Sequence, residues 1–256
     1  MRLKDKWDLI ARTSIEDSMR LTRYRKCFRY LDKCDKNSTI IDVGCGEGSG
    51  LVLAKNMGFN NLIWLEVSIE QLISAEKKLG NRVNYIYAGT DLKFPVKNNS
   101  VDVVLSLSVI EHTIDHEKFV MELQRIVKPG GIVIISSDCY QWRILQKLGK
   151  YKSSQPIDCA PSPFTLKRYF DRYGLEILHS EGFPHPKIKF RFIRFLIRPF
   201  DYFLFGSINE NGNEQKECND ALNNVNIYTS TISWLYSIPK LIFSDEDIFL
   251  LRKRTG

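Results

Sequence analysis

The sequence predicts an α/β protein built on a doubly wound, mostly parallel sheet of seven strands, and three observations carry that expectation. An apolar run, Thr39-Ile40-Ile41-Asp42-Val43, breaks into alternating glycines at Gly44, Gly46, Gly48 and Gly50 and resumes as Leu51-Val52-Leu53-Ala54. Beyond it, strand-like and helix-like runs alternate in the rhythm of βαβ units, which implies a parallel sheet covered by helices on both faces. Two further strand-like runs lie near the end of the chain, separated by a long connection.

Ile40, Ile41 and Val43 have the β-branched, continuous character of a buried parallel strand, and residues 51–54 read as the buried face of a helix. The glycines therefore form a strand-to-helix turn. Without Cβ atoms they permit positive φ and let a ligand approach the main chain, while the free N–H groups of the next helix face it. Asp42 could anchor the turn by accepting backbone N–H bonds, and Cys45 reads as a small buried filler. A dinucleotide turn needs G-x-G-x-x-G. Counting from Gly44 the third place falls on Ser49, and from Gly46 on Leu51, so neither register fits.

The remaining elements follow in order. Residues from about Ser14 to Asp35 read as a helix, with Met19, Leu21, Tyr24, Phe28 and Leu31 among its apolar positions, forming a lid or cap ahead of the first strand. Leu62–Glu66 is a second strand ending in an acid, and Ser68 caps a helix to about Leu79. Val83–Ala88 and Val101–Leu107 are the third and fourth strands. Lys118–Val127 is a helix stopped by Pro129-Gly130-Gly131, Ile132–Ile135 the fifth strand and Pro163–Tyr173 a helix. Leu175–Glu181 and Asp247–Arg254 are the sixth and seventh strands. Domain organisation is thus an N-terminal helical cap (1–37), a core (38–182), an insertion (183–246) and a final core strand (247–256). An insertion of this length is normally functional or disordered.

Composition narrows the setting. The chain has 256 residues, 43% of them hydrophobic, and a formal charge of +7, a modest excess that suits nucleic acid, anionic lipid or an acidic substrate. Its six cysteines include no C-x-x-C pair, so neither a zinc site nor a disulfide framework is signalled, and reduced cytosol is the expected location. The charged start, Met1-Arg2-Leu3-Lys4-Asp5-Lys6, leads into no signal-peptide core, and no run of about 18 apolar residues occurs.

The glycine run has the form D-x-G-x-G-x-G, which resembles motif I of the class I S-adenosylmethionine (SAM) dependent methyltransferases. Three further positions fit that pattern in order. Glu66 ends strand two, 22 residues after Gly44, where the family's acid holds both ribose hydroxyls. Asp91 falls where an acid meets the adenine amino group, and Leu92 would offer its N–H to the ring. Ser106-Leu107-Ser108-Val109-Ile110-Glu111-His112, followed by Leu123 to Gly131, resembles the small-molecule branch that includes the ubiquinone and menaquinone biosynthesis methyltransferases (methyltransferase type 11). The resemblance covers about Ser38 to Ser137. It implies SAM as cofactor, a Rossmann-like methyltransferase sheet and a cofactor-binding set of Asp42, Gly44, Cys45, Gly46, Glu66, Val67, Asp91, Leu92, Leu107 and Ser108. Asp42 would sit near the methionine moiety without reacting. Each acid also has a plainer reading, as a helix cap or loop residue, and Trp64 and Gln71 read first as core and as exposed helix surface.

Methyl transfer needs positioning more than a reacting side chain, but a hydroxyl acceptor benefits from a general base, and His112, after strand four, is the candidate. In the small-molecule branch this histidine is often only a pocket wall. Glu111, His112, Asp115 and His116 crowd one loop and raise a divalent-metal reading, since some relatives that methylate RNA termini or catechols hold an ion this way. The RNA-end branch, however, has a further acid where this chain has Ser108, and Asp115 and His116 suit a helix cap. No metal is expected. The motif of Asn or Asp, two prolines and an aromatic used on base or glutamine nitrogens is absent after strand four, which disfavours nucleic-acid and protein-glutamine acceptors.

Residues 187–198, KIKFRFIRFLIR, carry five basic residues and no acid. At helical spacing Lys187, Arg191, Arg194 and Arg198 form one stripe among apolar residues, the pattern of a basic amphipathic helix at an anionic membrane surface. A second apolar segment, 227–243, follows a polar span. The alternatives are a lid over the substrate or a dimer interface. The expected protein is a cytosolic SAM-dependent methyltransferase acting on a small or lipid-linked acceptor at oxygen, with a peripheral site at the inner membrane face. Its rivals are a nucleic-acid or protein methyltransferase and a non-catalytic SAM-binding regulatory or assembly protein.

Overall fold

The computed structural model describes residues 18–79, 84–87, 93–138, 159–183 and 246–255. Seven strands form one sheet: β1 (Thr39–Val43), β2 (Asn61–Glu66), β3 (Asn84–Tyr87), β4 (Val101–Leu107), β5 (Val127–Asp138), β6 (Leu175–Phe183) and β7 (Glu246–Lys253). Their spatial order is β3-β2-β1-β4-β5-β7-β6. The first five pair in parallel, and β7 runs antiparallel to both of its neighbours. Winding reverses between β1 and β4, and a crevice at such a reversal, beyond the carboxyl ends of the strands, is where open α/β sheets bind ligands.

Period-two alternation along the buried strands divides the core into two layers. Ile40, Trp64, Leu105, Ile134 and Leu250 face one side, where Phe28, Leu51, Leu53, Leu72 and Ala75 cover them from α1 (Ser18–Phe28), α2 (Ser49–Asn56) and α3 (Ile69–Leu79). Ile41, Val104, Val133, Phe249 and Leu251 face the other. Phe119, Leu123, Leu166 and Phe170 cover them from α4 (His116–Ile126) and α5 (Pro163–Arg172). Both faces of the sheet are therefore dry, which is why the strands read as continuous apolar runs rather than alternating ones.

Two expectations are corrected in detail. The helix expected over 14–35 is α1 followed by a 3-10 turn, Arg29–Lys33, rather than one continuous helix. Glu181 of β6 fixes that junction: its carboxylate accepts from Lys26 and Arg29, each at 2.6 Å, and from the Tyr30 hydroxyl at 3.3 Å. The Pro129-Gly130-Gly131 stop is also more than a boundary. Helix α4 ends at Ile126, and β5 starts at once, Val127 pairing with Val101; the register then jumps to Ile132 opposite Val103. Residues 128–131 thus form a bulge. Gly131 lies against the strand, where a Cβ would stand 2.8 Å from Val127 Cγ2 and 2.9 Å from two backbone oxygens. Asp102 ties the bulge down by accepting from Lys128 Nζ at 2.7 Å and from the Thr39 amide at 2.9 Å.

Asp91, Leu92, the segment 184–245 with its basic stretch 187–198, and residues 1–17 lie outside the described residues. Among the described residues no helix is long and apolar enough to cross a membrane.

Candidate active site

The glycine turn is held by the end of the neighbouring strand. The Gly44 amide donates to the Leu65 carbonyl at 2.8 Å, and the Gly46 amide to Glu66 Oε2 at 2.8 Å. Glu66 is buried, and its other oxygen accepts from Val67 N at 2.8 Å and Ser68 N at 3.1 Å. One carboxylate thus closes the turn after β1 and caps the entry to α3. The plainer reading of Asp42 as anchor of the turn is corrected, because these amides face β2 rather than the end of their own strand. Asp42 is instead packed under α2, its Oδ2 only 2.8 Å from where a Gly50 Cβ would stand. Burial, and then the charge of Glu66, push the Asp42 carboxyl up to about 7.

Packing demands the glycines as firmly as a ligand would. Gly44 has φ +75°, and a Cβ on it would lie 2.5 Å from Val109 Cγ2; on Gly48, at φ +78°, it would run into the ring of fully buried Trp64. Trp64 is therefore core, as expected, and also the floor of the turn. Helix α2 starts directly at Ser49 with no side-chain cap, so its first amides are left to water or a ligand. Across the mouth, Gln71 is exposed, with Oε1 only 3.2 Å from a Gly46 Cβ position. It is helix surface, but surface that overlies the turn. Val67 is 52% exposed beside it, a large apolar side chain left uncovered.

The second wall comes from the end of β4. Leu107 and Ser108 are half-buried, and Ser108 holds φ +54°, a left-handed conformation uncommon for serine. Its amide donates to the Ser136 carbonyl at 3.0 Å and to Ser136 Oγ at 3.1 Å. Val109 then leads into a 3-10 turn, Ile110–His112, which separates two sequence neighbours. Glu111 is wholly buried, accepting from the Asp138 amide at 3.3 Å, while His112 is half-buried. Burial and the nearby Asp138 raise the Glu111 carboxyl to about 8. Asp115 caps α4, accepting from Lys118 N at 2.9 Å. With Glu111 buried and Asp115 used as a cap, no group of three or more potential ligands able to hold a metal occurs among the described residues.

Two residues of this region escaped the sequence reading. Glu246, the first residue of β7, and Arg23 of α1 form an ion pair, with the glutamate side chain fully buried. Nothing in the local pattern around Arg23 distinguishes it from an ordinary helical cation. Of the expected set, Asp42, Gly44, Cys45, Gly46, Glu66, Val67, Leu107 and Ser108 all belong to the ends of β1, β2 and β4 and the turns that follow them. These residues fit a nucleoside cofactor: a turn with no room for Cβ atoms meets uncapped helix amides, and Glu66 Oε2 keeps a lone pair beyond its bond to Gly46.

Comparison with known proteins agrees. Residues 41–135 match the methyltransferase domain family. The chain is 38% identical over 110 residues to 2-methyl-6-phytyl-1,4-hydroquinone methyltransferase of Synechocystis sp., covering 41% of this chain and 34% of that one. It is 36% identical over 101 residues to the ubiquinone biosynthesis O-methyltransferase of Rickettsia canadensis, covering 38% of this chain and 42% of that one. The chain thus spans less than half the length of these curated relatives. Among solved structures, a SAM-dependent methyltransferase of Mesorhizobium loti superposes with TM-score 0.58 at 15% identity, over 90% of this chain and 98% of that one. Geranyl diphosphate C-methyltransferase of Streptomyces coelicolor does so with TM-score 0.56 at 13% identity, over 91% and 75%. Residues 41–135 thus match the methyltransferase domain family, and through this β1-to-β5 core the chain resembles the class I SAM-dependent methyltransferases, the quinone biosynthesis enzymes among them.

Proposed function

We propose that the protein transfers the methyl group of SAM to a hydroxyl oxygen of a small or lipid-linked acceptor. The observation that carries this reading is the clamped turn: Glu66 and Leu65 hold Gly44 and Gly46 open to a ligand, with Val109 of the acceptor side packed on Gly44. The relatives support the acceptor class, since the Synechocystis protein is named for a phytyl-bearing hydroquinone and the Rickettsia protein for O-methylation in ubiquinone biosynthesis.

In this reading Glu66 receives the ribose hydroxyls, Val67 lies against the adenine, and Asp91 and Leu92 meet its edge. Asp42 lies beside the methionine moiety, where a cationic ammonium would draw its carboxyl into the ionised form. Leu107 and Ser108 wall the methyl-transfer side. Bound SAM supplies an already activated methyl group, so the residues need only hold the acceptor oxygen in line with it. His112 would take the acceptor's hydroxyl proton during the transfer, in which the methyl–sulfonium bond breaks and S-adenosylhomocysteine leaves. The basic, aromatic sequence 187–205 supports a peripheral position on anionic lipid, where a greasy acceptor would be met.

Three outcomes follow from these assignments. The Asp42 carboxyl is raised from 3.8 to about 7 on folding, so the native state holds the extra proton between those values. Stability from that proton is complete at low pH and is lost as pH rises through about 7. Asp42→Asn, neutral throughout, should therefore raise the thermal midpoint relative to wild type more at pH 8 than at pH 5; a gain confined to pH 5 would reverse the assignment. His112→Gln should lower turnover on a prenylated hydroquinone by about a hundredfold, whereas unchanged turnover removes His112 from the chemistry. In liposome flotation the chain should rise with phosphatidylglycerol vesicles and not with phosphatidylcholine, and replacing Lys187, Lys189, Arg191, Arg194 and Arg198 by Gln should abolish this; equal flotation of the variant would defeat the membrane assignment.

A further inference from the structure

A buried contact outside the cofactor turn joins α1, β7 and the end of β4. The Arg23 guanidinium pairs with Glu246, and Glu246 Oε1 also accepts from Ser108 Oγ at 3.2 Å. Glu111 and Asp138 lie near the same guanidinium, but Glu246 is the acid that it touches. Ser108, in its left-handed conformation, is thus held from two sides: by Ser136, through its amide, and by the ion pair, through its hydroxyl. The next residue, Val109, is the one that closes on Gly44, with Cγ2 at 2.5 Å from a would-be Cβ. A close-packed interior passes such a displacement on rather than absorbing it.

We propose that Arg23 and Glu246 are positioning residues for the cofactor turn: their ion pair fixes the Ser108 conformation and, through Val109, sets the place of Gly44. Neither residue needs to touch the ligand. Glu246 is also where the segment 183–246 rejoins the sheet, and Arg23 belongs to the helix ahead of β1, so one buried pair links both flanking segments to the cofactor turn.

The inference rests on the SAM reading of the site and is tested by calorimetric titration of SAM into the full chain, with thermal unfolding measured alongside. Glu246→Gln keeps the shape and an accepting oxygen but removes the charge that holds Arg23. It should weaken SAM binding by about tenfold. Ser108→Gly adopts positive φ without help, so in that background the Glu246→Gln change should cost less than about twofold. The same loss in both backgrounds, or no loss in either, overturns the relay. Should Glu246→Gln fail to fold, Arg23→Lys, which keeps a cation but loses the planar fork, takes its place in the same comparison. Wild type that binds no SAM refutes the cofactor reading itself, and the relay with it.

Discussion

The site depends first on one carboxylate at the end of β2. Glu66 accepts three backbone N–H bonds, from Gly46 on one side and from Val67 and Ser68 on the other, and so joins the turn after β1 to the start of α3. A hydrogen bond to a charged group contributes about 1.5–3 kcal/mol, more than an ordinary one. Remove it and the Gly46 amide is left without a partner. The turn would then lose the register in which Gly44 fits against Val109 and Gly48 over Trp64. The glycines are thus consequences of the close approach of the protein's own side chains: Val109 at Gly44, Gln71 at Gly46, Trp64 at Gly48 and Asp42 at Gly50.

The two acids of the cofactor side live in opposite environments although their strands are adjacent. Glu66 is satisfied by three amides, whereas Asp42, paired in register with Trp64 on β2, is pushed toward its neutral form by burial and by Glu66 itself. A neutral acid that a cation can ionise is suited to a ligand carrying an ammonium group. A second raised acid, Glu111, sits on the acceptor side beneath the half-buried His112 turn, with Asp138 beside it. Two acids held toward their neutral forms thus flank the crevice before any ligand arrives.

Much of this was legible in the sequence because parallel strands buried on both faces leave an unmistakable apolar trace. Every strand was visible, β4 with its boundaries unchanged at Val101–Leu107. The glycine spacing, Glu66 and the Ser106–His112 stretch led to the cofactor class. Less visible were features made by contacts distant in the chain. The bulge at 128–131 depends on the space left beside Asp102, and the break of α1 at Arg29 depends on Glu181 from β6. Arg23 and Glu246 lie 223 positions apart, and no local pattern could have joined them. Gln71 looked like helix surface, which it is, yet only the fold shows that this surface overlies Gly46.

Glu66 has two tasks, holding the turn and receiving the nucleoside. A crystal structure of the full chain grown with saturating S-adenosylhomocysteine tests that double role most directly. The ribose hydroxyls should lie within hydrogen-bond distance of Glu66, with the Gly46 amide still donating to Oε2 and the homocysteine lying along Gly44–Gly46. A nucleoside bound away from Glu66, or a Glu66 carboxylate still turned wholly to backbone amides beside an occupied crevice, would contradict it.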